Sequence, residues 1–326
     1  MTTPNTAFQT HTFPYGAAAI AKAAGLILAG QPVAVPTETV YGLAADATNP
    51  AAVAAIYAAK GRPSFNPLIV HVADVSAAEQ IGVFGEQARA LAAAYWPGPL
   101  TLVVPLRADA RIATLATAGL KTIALRVPAH RAMQALLAAT GKPLAAPSAN
   151  ASGSISPTRA AHVQRSLGGR IAMIIDDGAT PAGIESTIIM PGRTFGEQPR
   201  MLRPGPVSSS DIESLLGLPL GNPDSQIVAP GQLASHYAPA KPLRLNATRA
   251  APDEWLIGFG DVGGNDTLSA SGDLIEAAAR LFDYLHHADA SDRARIAIAP
   301  VPMEGIGVAI NDRLGRAASV KPHNVI

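Results

Sequence analysis

Residues 32–72 read PVAVPTETVYGLAADATNPAAVAAIYAAKGRPSFNPLIVHV, and their order decides the fold class. Residues 32–36 form a short apolar run framed by prolines, the pattern of a buried strand that ends in a polar turn. Residues 50–60 carry apolar side chains at helical spacing, opened by Asn49 as N-cap with Pro50 at the first helical position. Residues 68–72, Leu-Ile-Val-His-Val, are strand-like again. Strand, loop, helix, loop and strand in one short stretch make the α/β pattern, a sheet with helices packed on it.

The alternation continues on both sides. Residues 17–29 are helical and stop at Gly30, a C-cap signal; 76–81, 86–95 and 130–139 are further helices. Strands are expected at 100–106, 122–127, 144–146, 171–175 and 186–190. From Val207 the texture changes. Residues 211–216 make one short helix, and 217–241 then run without periodicity, rich in Pro, Gly and Asn. A loop of that length inside a compact domain is expected to be a linker or functional. Beyond it, 243–245, 255–259 and 295–299 read as strands, and 273–287 and 304–318 as helices. The expected organisation is a first unit over 1–210, a linker over 211–242 and a smaller α/β unit over 243–326. No fixed-period repeat is present.

Composition narrows the function classes. The chain has 326 residues, 25 Lys+Arg against 24 Asp+Glu, and no Cys. A formal charge of +1 argues against a protein that coats phosphate backbones, which needs a basic face. Without Cys there is no disulfide framework, thiol nucleophile or thiolate zinc site. Residues 1–15 are polar and do not read as a signal peptide, and no apolar run approaches the ~18 residues of a membrane span. A cytoplasmic protein with no membrane association is expected. Motif searches return no Walker loop, H-E-x-x-H or G-x-S-x-G. Residues 258–263, Gly-Phe-Gly-Asp-Val-Gly, fit G-x-G-x-x-G, but helical periodicity begins only near Asp273, so they read as a glycine-rich turn after a strand.

The 28 Pro and 29 Gly exceed a usual combined share of about 12%. Many gather with polar groups in five segments: 36–43, 60–68, 95–101, 146–158 and 202–206. Turn chemistry alone explains any one of them. Together they place Lys60, Arg62, Arg126 and Arg203 beside Ser and Thr hydroxyls on stiff loops, a preorganised anion site of the kind found at the carboxyl ends of sheet strands. Lys60 and Arg62, two apart on a loop, are expected to face one ligand, and Arg126 to grip a carboxylate with its planar fork. No carboxylate pair or Ser-His couple presents a nucleophile. Phosphoryl or adenylyl transfer, run by positioning and electrostatics, suits such a site.

These segments resemble the Sua5/YrdC family of threonylcarbamoyl-AMP synthases across nearly the whole chain. The resemblance rests on Pro-Thr-Glu-Thr-Val-Tyr-Gly-Leu from Pro36, Lys-Gly-Arg-Pro…Asn-Pro-Leu from Lys60, Trp-Pro-Gly-Pro-Leu-Thr from Trp96, Arg-Val-Pro from Arg126, Ala-Pro-Ser-Ala-Asn from Ala146, Glu-Ser-Thr from Glu185 and Leu-Arg-Pro-Gly from Leu202. Ser235-His236-Tyr237-Ala238-Pro239 and Asn311-Asp312-Arg313-Leu314 are similar to the longer Sua5 form. Phe65 stands where that loop suggests a polar residue.

The resemblance implies an α/β fold: a YrdC-like twisted mixed sheet as catalytic domain, residues 211–242 as a lid over the active site, and a smaller Rossmann-like Sua5 domain. It implies synthesis of L-threonylcarbamoyl-AMP and pyrophosphate from L-threonine, bicarbonate or CO2, and ATP with Mg2+. The product would pass to a tRNA threonylcarbamoyl-transferase complex, which leaves room for a weak tRNA contact. By motif position, Thr39, His71, Arg126, Ala146 and Ser186 would surround threonine. Arg62, Asn66, Thr122, Ser148, Ser156, Arg203 and Tyr237, with His236 beside it, would hold ATP. Lys60, Arg62, Ser148 and Asn150 would carry catalysis, with Lys60 and Asn150 lining the phosphates. No protein side chain is implied as metal ligand, and Glu185 stays open between a structural role and placing the metal. The alternatives are an RNA-binding module of the same fold without ATP turnover, or another carbamoyl-adenylate-forming enzyme.

Overall fold

Buried aliphatic residues at period two set the sheet, and capped amphipathic helices cover it. In a computed structural model that describes residues 9–222, 229 and 237–319, the strands are β1 (His11–Pro14), β2 (Val33–Pro36), β3 (Tyr41–Asp46), β4 (Ile69–His71), β5 (Leu100–Pro105), β6 (Thr122–Arg126), β7 (Leu144–Ala145), β8 (Met173–Asp176), β9 (Thr187–Met190), β10 (Arg200–Arg203), β11 (Leu243–Arg244), β12 (Glu254–Gly258), β13 (Asp266–Thr267) and β14 (Arg295–Ile298). The helices are α1 (Ala17–Leu28), α2 (Pro50–Lys60), α3 (Val75–Glu79), α4 (Glu86–Tyr95), α5 (Arg131–Thr140), α6 (Ala160–Leu167), α7 (Ser209–Leu216), α8 (Leu274–Ala290) and α9 (Gly307–Ala318).

Strands β1 to β10 form one mixed sheet in the order β1-β8-β2-β3-β7-β4-β6-β5-β9-β10. The last four make a parallel sheet, β11-β14-β12-β13. Four strands escape a reading of the sequence: β1, β3, β10 and β13. β1 is a mostly exposed edge strand paired parallel to β8, and its polar residues give no periodic signal. β3 reads Tyr-Gly-Leu-Ala-Ala-Asp, a composition of low strand propensity; it is buried on both faces and held by antiparallel pairing with β2 and β7. The Gly258–Gly263 hexapeptide is a turn after β12, closed by two hydrogen bonds between Phe259 and Val262, and α8 starts only at Leu274.

The faces of the large sheet are covered unequally. Leu43, Val70, Leu102, Leu125 and Ile189 point into the main core, which includes residues of α2, α4 and α6. On the opposite face, Val33, Val35, Ala44, Met173 and Ile175 pack against α1 and α5. Alternation brings Ile69, Val103, Ala124 and Ile188 to that same side on the other half of the sheet. There they meet Leu202 and Ala229. This half carries the polar ends of β4, β6 and β9.

Candidate active site

The site forms where that half of the sheet runs off its strand ends. After β2, Thr37 builds the turn with its own side chain. Its hydroxyl donates to the Val40 carbonyl at 2.7 Å and accepts from the amides of Thr39 and Val40, both at 3.2 Å. Thr39 Oγ1 is thereby held 2.8 Å from Thr37 Oγ1 and 2.9 Å from Arg126 Nη1. Arg126 ends β6, buried; its Nε donates to the Gly98 carbonyl at 3.2 Å. Its Nη2 lies 2.6 Å from Glu38 Oε1, an ion pair whose approach is not aligned as a hydrogen bond. Burial favours a raised Glu38 pKa, but the adjacent Arg126 charge outweighs it and holds the carboxyl below its usual range.

His71 ends β4 directly beside Arg126, its Cα partner in the parallel pairing. It is 2% exposed and neither ring nitrogen has a hydrogen-bond partner. Burial first, then the Arg126 charge, push its pKa down to about 3, so the imidazole is neutral at neutral pH. Ser186 forms the next wall, its hydroxyl 2.8 Å from Thr101 Oγ1. Arg203 donates to the Ser186 carbonyl through Nε (3.1 Å) and Nη2 (2.9 Å), and Nη2 also reaches Ser186 Oγ at 3.2 Å.

The cationic loop comes from how α2 ends. Asn49 Oδ1 caps its start, accepting from the Ala51 and Ala52 amides. At the other end Gly61 adopts φ +59, and the Arg62 amide closes back onto the Tyr57 carbonyl at 3.0 Å. This reversal sends Arg62 to the cavity, while Lys60 stays inside on the last helical turn. Arg62 donates through Nε to the Asn66 carbonyl (3.1 Å) and through Nη2 to the Pro67 carbonyl (2.9 Å), and burial lowers its pKa to about 10.

One cavity is lined by Thr39, His71, Arg126, Ala146, Ser186, Arg62, Ser148, Arg203 and Tyr237, nine of the residues named from sequence. Three arginines and one lining carboxylate, Glu185, give it an anion-binding character. Five named residues do not line it. Lys60 is 2% exposed, and its Nζ donates to the Ser148 carbonyl at 2.5 Å and the Asn150 carbonyl at 2.6 Å. Burial and then Arg62 hold its pKa well below the usual value. The sequence spacing aimed Lys60 and Arg62 at one ligand; the left-handed Gly61 separates them, and Lys60 instead clamps the Ser148–Asn150 loop.

Asn150 likewise holds its own loop, donating to the Ala151 and Ser154 carbonyls at 3.0 and 2.8 Å. Ser156 stands behind the wall, its hydroxyl bonded to Glu185 Oε1. Asn66 is 1% exposed with its side-chain amide unpartnered. Thr122 begins β6, four residues and roughly 13 Å from Arg126 on the same face. It lines a separate cleft with Pro105, Met190 and Arg200. Within 211–242, residues 223–228 and 230–236, His236 among them, lie outside the described residues. Sequence reasoning passed over Glu38, Thr101 and Arg313. Glu38 sits inside a quoted motif, but its partner Arg126 is remote in sequence, and Arg313 meets Glu185 across 128 residues.

A family model described as telomere recombination (Sua5, YciO, YrdC) matches residues 25–205, and one for the threonylcarbamoyl-AMP synthase C-terminal domain matches 207–319. The chain is 40% identical to the threonylcarbamoyl-AMP synthase of Bacillus subtilis over 324 residues, which covers 92% of each. It superposes on the crystal structure of Pyrococcus abyssi Sua5 complexed with L-threonine with a TM-score of 0.84 at 35% identity, covering 95% of this chain and 97% of that one. A shorter relative, the putative threonylcarbamoyl-AMP synthase of Mycobacterium tuberculosis, is 41% identical over 201 residues, 61% of this chain and 89% of its own length.

Proposed function

This chain belongs to the Sua5 family of threonylcarbamoyl-AMP synthases, and we propose that the cavity lined by Arg62, Arg126 and Arg203 is where its adenylate forms. Its activity is the synthesis of L-threonylcarbamoyl-AMP from L-threonine and ATP, the first step of the threonylcarbamoyladenosine modification of tRNA. The observation that carries the assignment is the convergence, at the strand ends of one half of the sheet, of three arginines, the hydroxyls of Thr37, Thr39, Ser148 and Ser186, and a neutral His71 without hydrogen-bond partners.

The threonine end is read at β4 and β6. Arg126, fixed by Thr39, Gly98 and Glu38, takes the amino-acid carboxylate. Neutral His71 has one N–H to give and one lone pair to accept with, which suits the threonine hydroxyl. Ser186, held by Thr101 and Arg203, faces the same ligand, with Ala146 closing the pocket. The nucleotide end is read at Arg62, Ser148, Arg203 and Tyr237, with the unpartnered Asn66 amide in the Arg62 loop. An extended nucleotide along the open face would bring its far end toward Thr122. Lys60, Asn150 and Ser156 act through the groups they hold.

In this reading bicarbonate loses hydroxide to give CO2, the threonine amine attacks that carbon to form the N–C bond of an N-carboxy species, and the amine proton leaves with the hydroxide as water. The new carboxylate attacks the α-phosphorus of ATP in line; the bond between the α-phosphorus and the bridging oxygen breaks, and pyrophosphate leaves with its negative charge met by Arg62 and Arg203. Mg2+ would enter on the ATP phosphates and neutralise their charge there; the lining carboxylate Glu185 already has its oxygens on Ser156 and Arg313, so the phosphates rather than protein side chains would hold the ion. Among the described residues no helix is long and apolar enough to cross a membrane. We place the protein in the cytoplasm, handing its product to a tRNA threonylcarbamoyl-transferase complex.

The test is pyrophosphate release from ATP with threonine and bicarbonate omitted in turn. Release that needs both supports the reading, whereas release independent of threonine removes it.

A further inference from the structure

The second domain does not merely follow the first; it grips the back of the site-bearing loops. Val40, Ile155 and Ile184 belong to the first domain, yet all three are buried in the second domain's hydrophobic cluster with Phe282, Leu285 and Ile310. Each sits next in sequence to a site residue: Val40 to Thr39, Ile155 to Ser156, Ile184 to Glu185. Gly183 touches the α8 backbone so closely that a Cβ there would lie 2.4 Å from the carbonyl oxygens of Ala278 and Ala279.

At the centre of this contact is Arg313 on α9, fully buried. Its Nε lies 2.9 Å from Glu185 Oε2 and its Nη1 2.7 Å from Asp312 Oδ2. Its guanidinium carbon is 5.4 Å from the centre of the Tyr237 ring, which also packs against Phe282 at 5.6 Å between centroids. Tyr237 itself has φ +65, a left-handed backbone that a tyrosine keeps only when its surroundings impose it. Glu185 and Tyr237 both line the cavity; Arg313 does not. One buried cation from the second domain therefore touches a wall carboxylate and the ring that lies over the same end of the site.

We propose that Arg313 is a positioning residue of the adenylation site, through which the second domain fixes the Glu185 wall and the Tyr237 ring around the nucleotide. It never touches the reacting atoms. It holds Glu185 ionised and in place, so that Ser156 and the Ser186–Arg203 pair keep their spacing, and it seats the Tyr237 ring, whose neighbour Ala238 donates its amide to the Gly153 carbonyl at 2.9 Å. The proposal rests on the placement of ATP at this end of the cavity. It implies that in this chain the first domain carries every lining residue of the cavity except Tyr237 without holding them in register.

The test is Arg313→Met, which keeps the buried hydrocarbon and removes the charge, studied with Arg313→Lys and the double variant Arg313→Met/Glu185→Gln. The double variant relieves the uncompensated carboxylate, so it separates a folding defect from a positioning one. The expected result is a loss in kcat/KM for ATP on the order of 10- to 100-fold, carried by KM for ATP while KM for threonine stays near wild type. Arg313→Lys should recover part of it, and the double variant should regain thermal stability without regaining ATP affinity. A second readout needs no turnover: chymotrypsin should cut after Tyr237, 1% exposed in the folded chain, faster in Arg313→Met than in wild type at a temperature where both are folded. Wild-type ATP kinetics, or full recovery in the double variant, would overturn the proposal. Arg62→Ala run in parallel separates the two readings. If it too leaves ATP kinetics unchanged, the ATP placement itself fails; if only Arg313→Met is silent, the positioning role alone falls.

Discussion

Replacing Lys60 by Met keeps a side chain of similar length and apolar stem but deletes the ammonium that donates to the Ser148 and Asn150 carbonyls. A buried carbonyl left without its donor costs about 1–3 kcal/mol. The Ser148 carbonyl keeps the Asn150 amide at 3.0 Å, so only the Asn150 carbonyl is orphaned, and relief from burying a cation offsets part of that cost. The net destabilisation should be about 1 kcal/mol, which lowers Tm by roughly 2–4 °C. The larger effect is on geometry. Ser148 lines the cavity on a loop that this ammonium helps to pin, beside backbone bonds from Leu43 to Pro147 and from Ala149 to Tyr41, so its loss should lower kcat by on the order of 10- to 100-fold with the KM values less changed. Threonine-dependent pyrophosphate release and a thermal melt measure both. If Lys60 gripped phosphate instead, Lys60→Met would raise KM for ATP and leave Tm intact. That pattern, or wild-type turnover, refutes the clamp.

Arg126→Lys keeps the charge but loses the fork that bonds Thr39 and Gly98, and should raise KM for threonine roughly tenfold or more, seen in a threonine titration. Acid should destabilise the chain through His71. Between pH 6.5 and about 3 the unfolded chain binds a proton there that the folded chain does not, so stability falls as pH drops through this window, by up to about 5 kcal/mol. Glu38 and Glu185, both held below their usual range, act in the same direction as pH falls through their folded pKa values. His71→Asn should flatten part of that slope in pH-dependent denaturation. Gly183→Val would drive side-chain atoms into the α8 carbonyls, in a left-handed conformation besides, and should cost several kcal/mol and loosen the domain contact; an unchanged melt would contradict the packing described.

Apolar periodicity, helix caps and Pro-Gly punctuation are local, so the α/β alternation and most helices could be read from the chain directly. The sequence also carried the loops that bear the site, because stiff turns with cations and hydroxyls leave a compositional trace. It could not say which way each cation faces. Lys60 and Arg62 are two residues apart, yet one backbone reversal at Gly61 turns the first into a loop clamp and leaves the second in the cavity. Thr122 and Arg126 share a strand and a face, but strand rise alone sets them far apart. β3 was hidden because its alanines and glycine hold a strand only when neighbours on both sides supply the hydrogen bonds. The pairing of Glu38 with Arg126 and of Glu185 with Arg313 depends on chain segments remote in sequence, whose meeting no spacing encodes. The residues that could bind were written in the sequence; which of them do so, and which hold the others in place, is decided by the packing that burial and hydrogen-bond satisfaction impose.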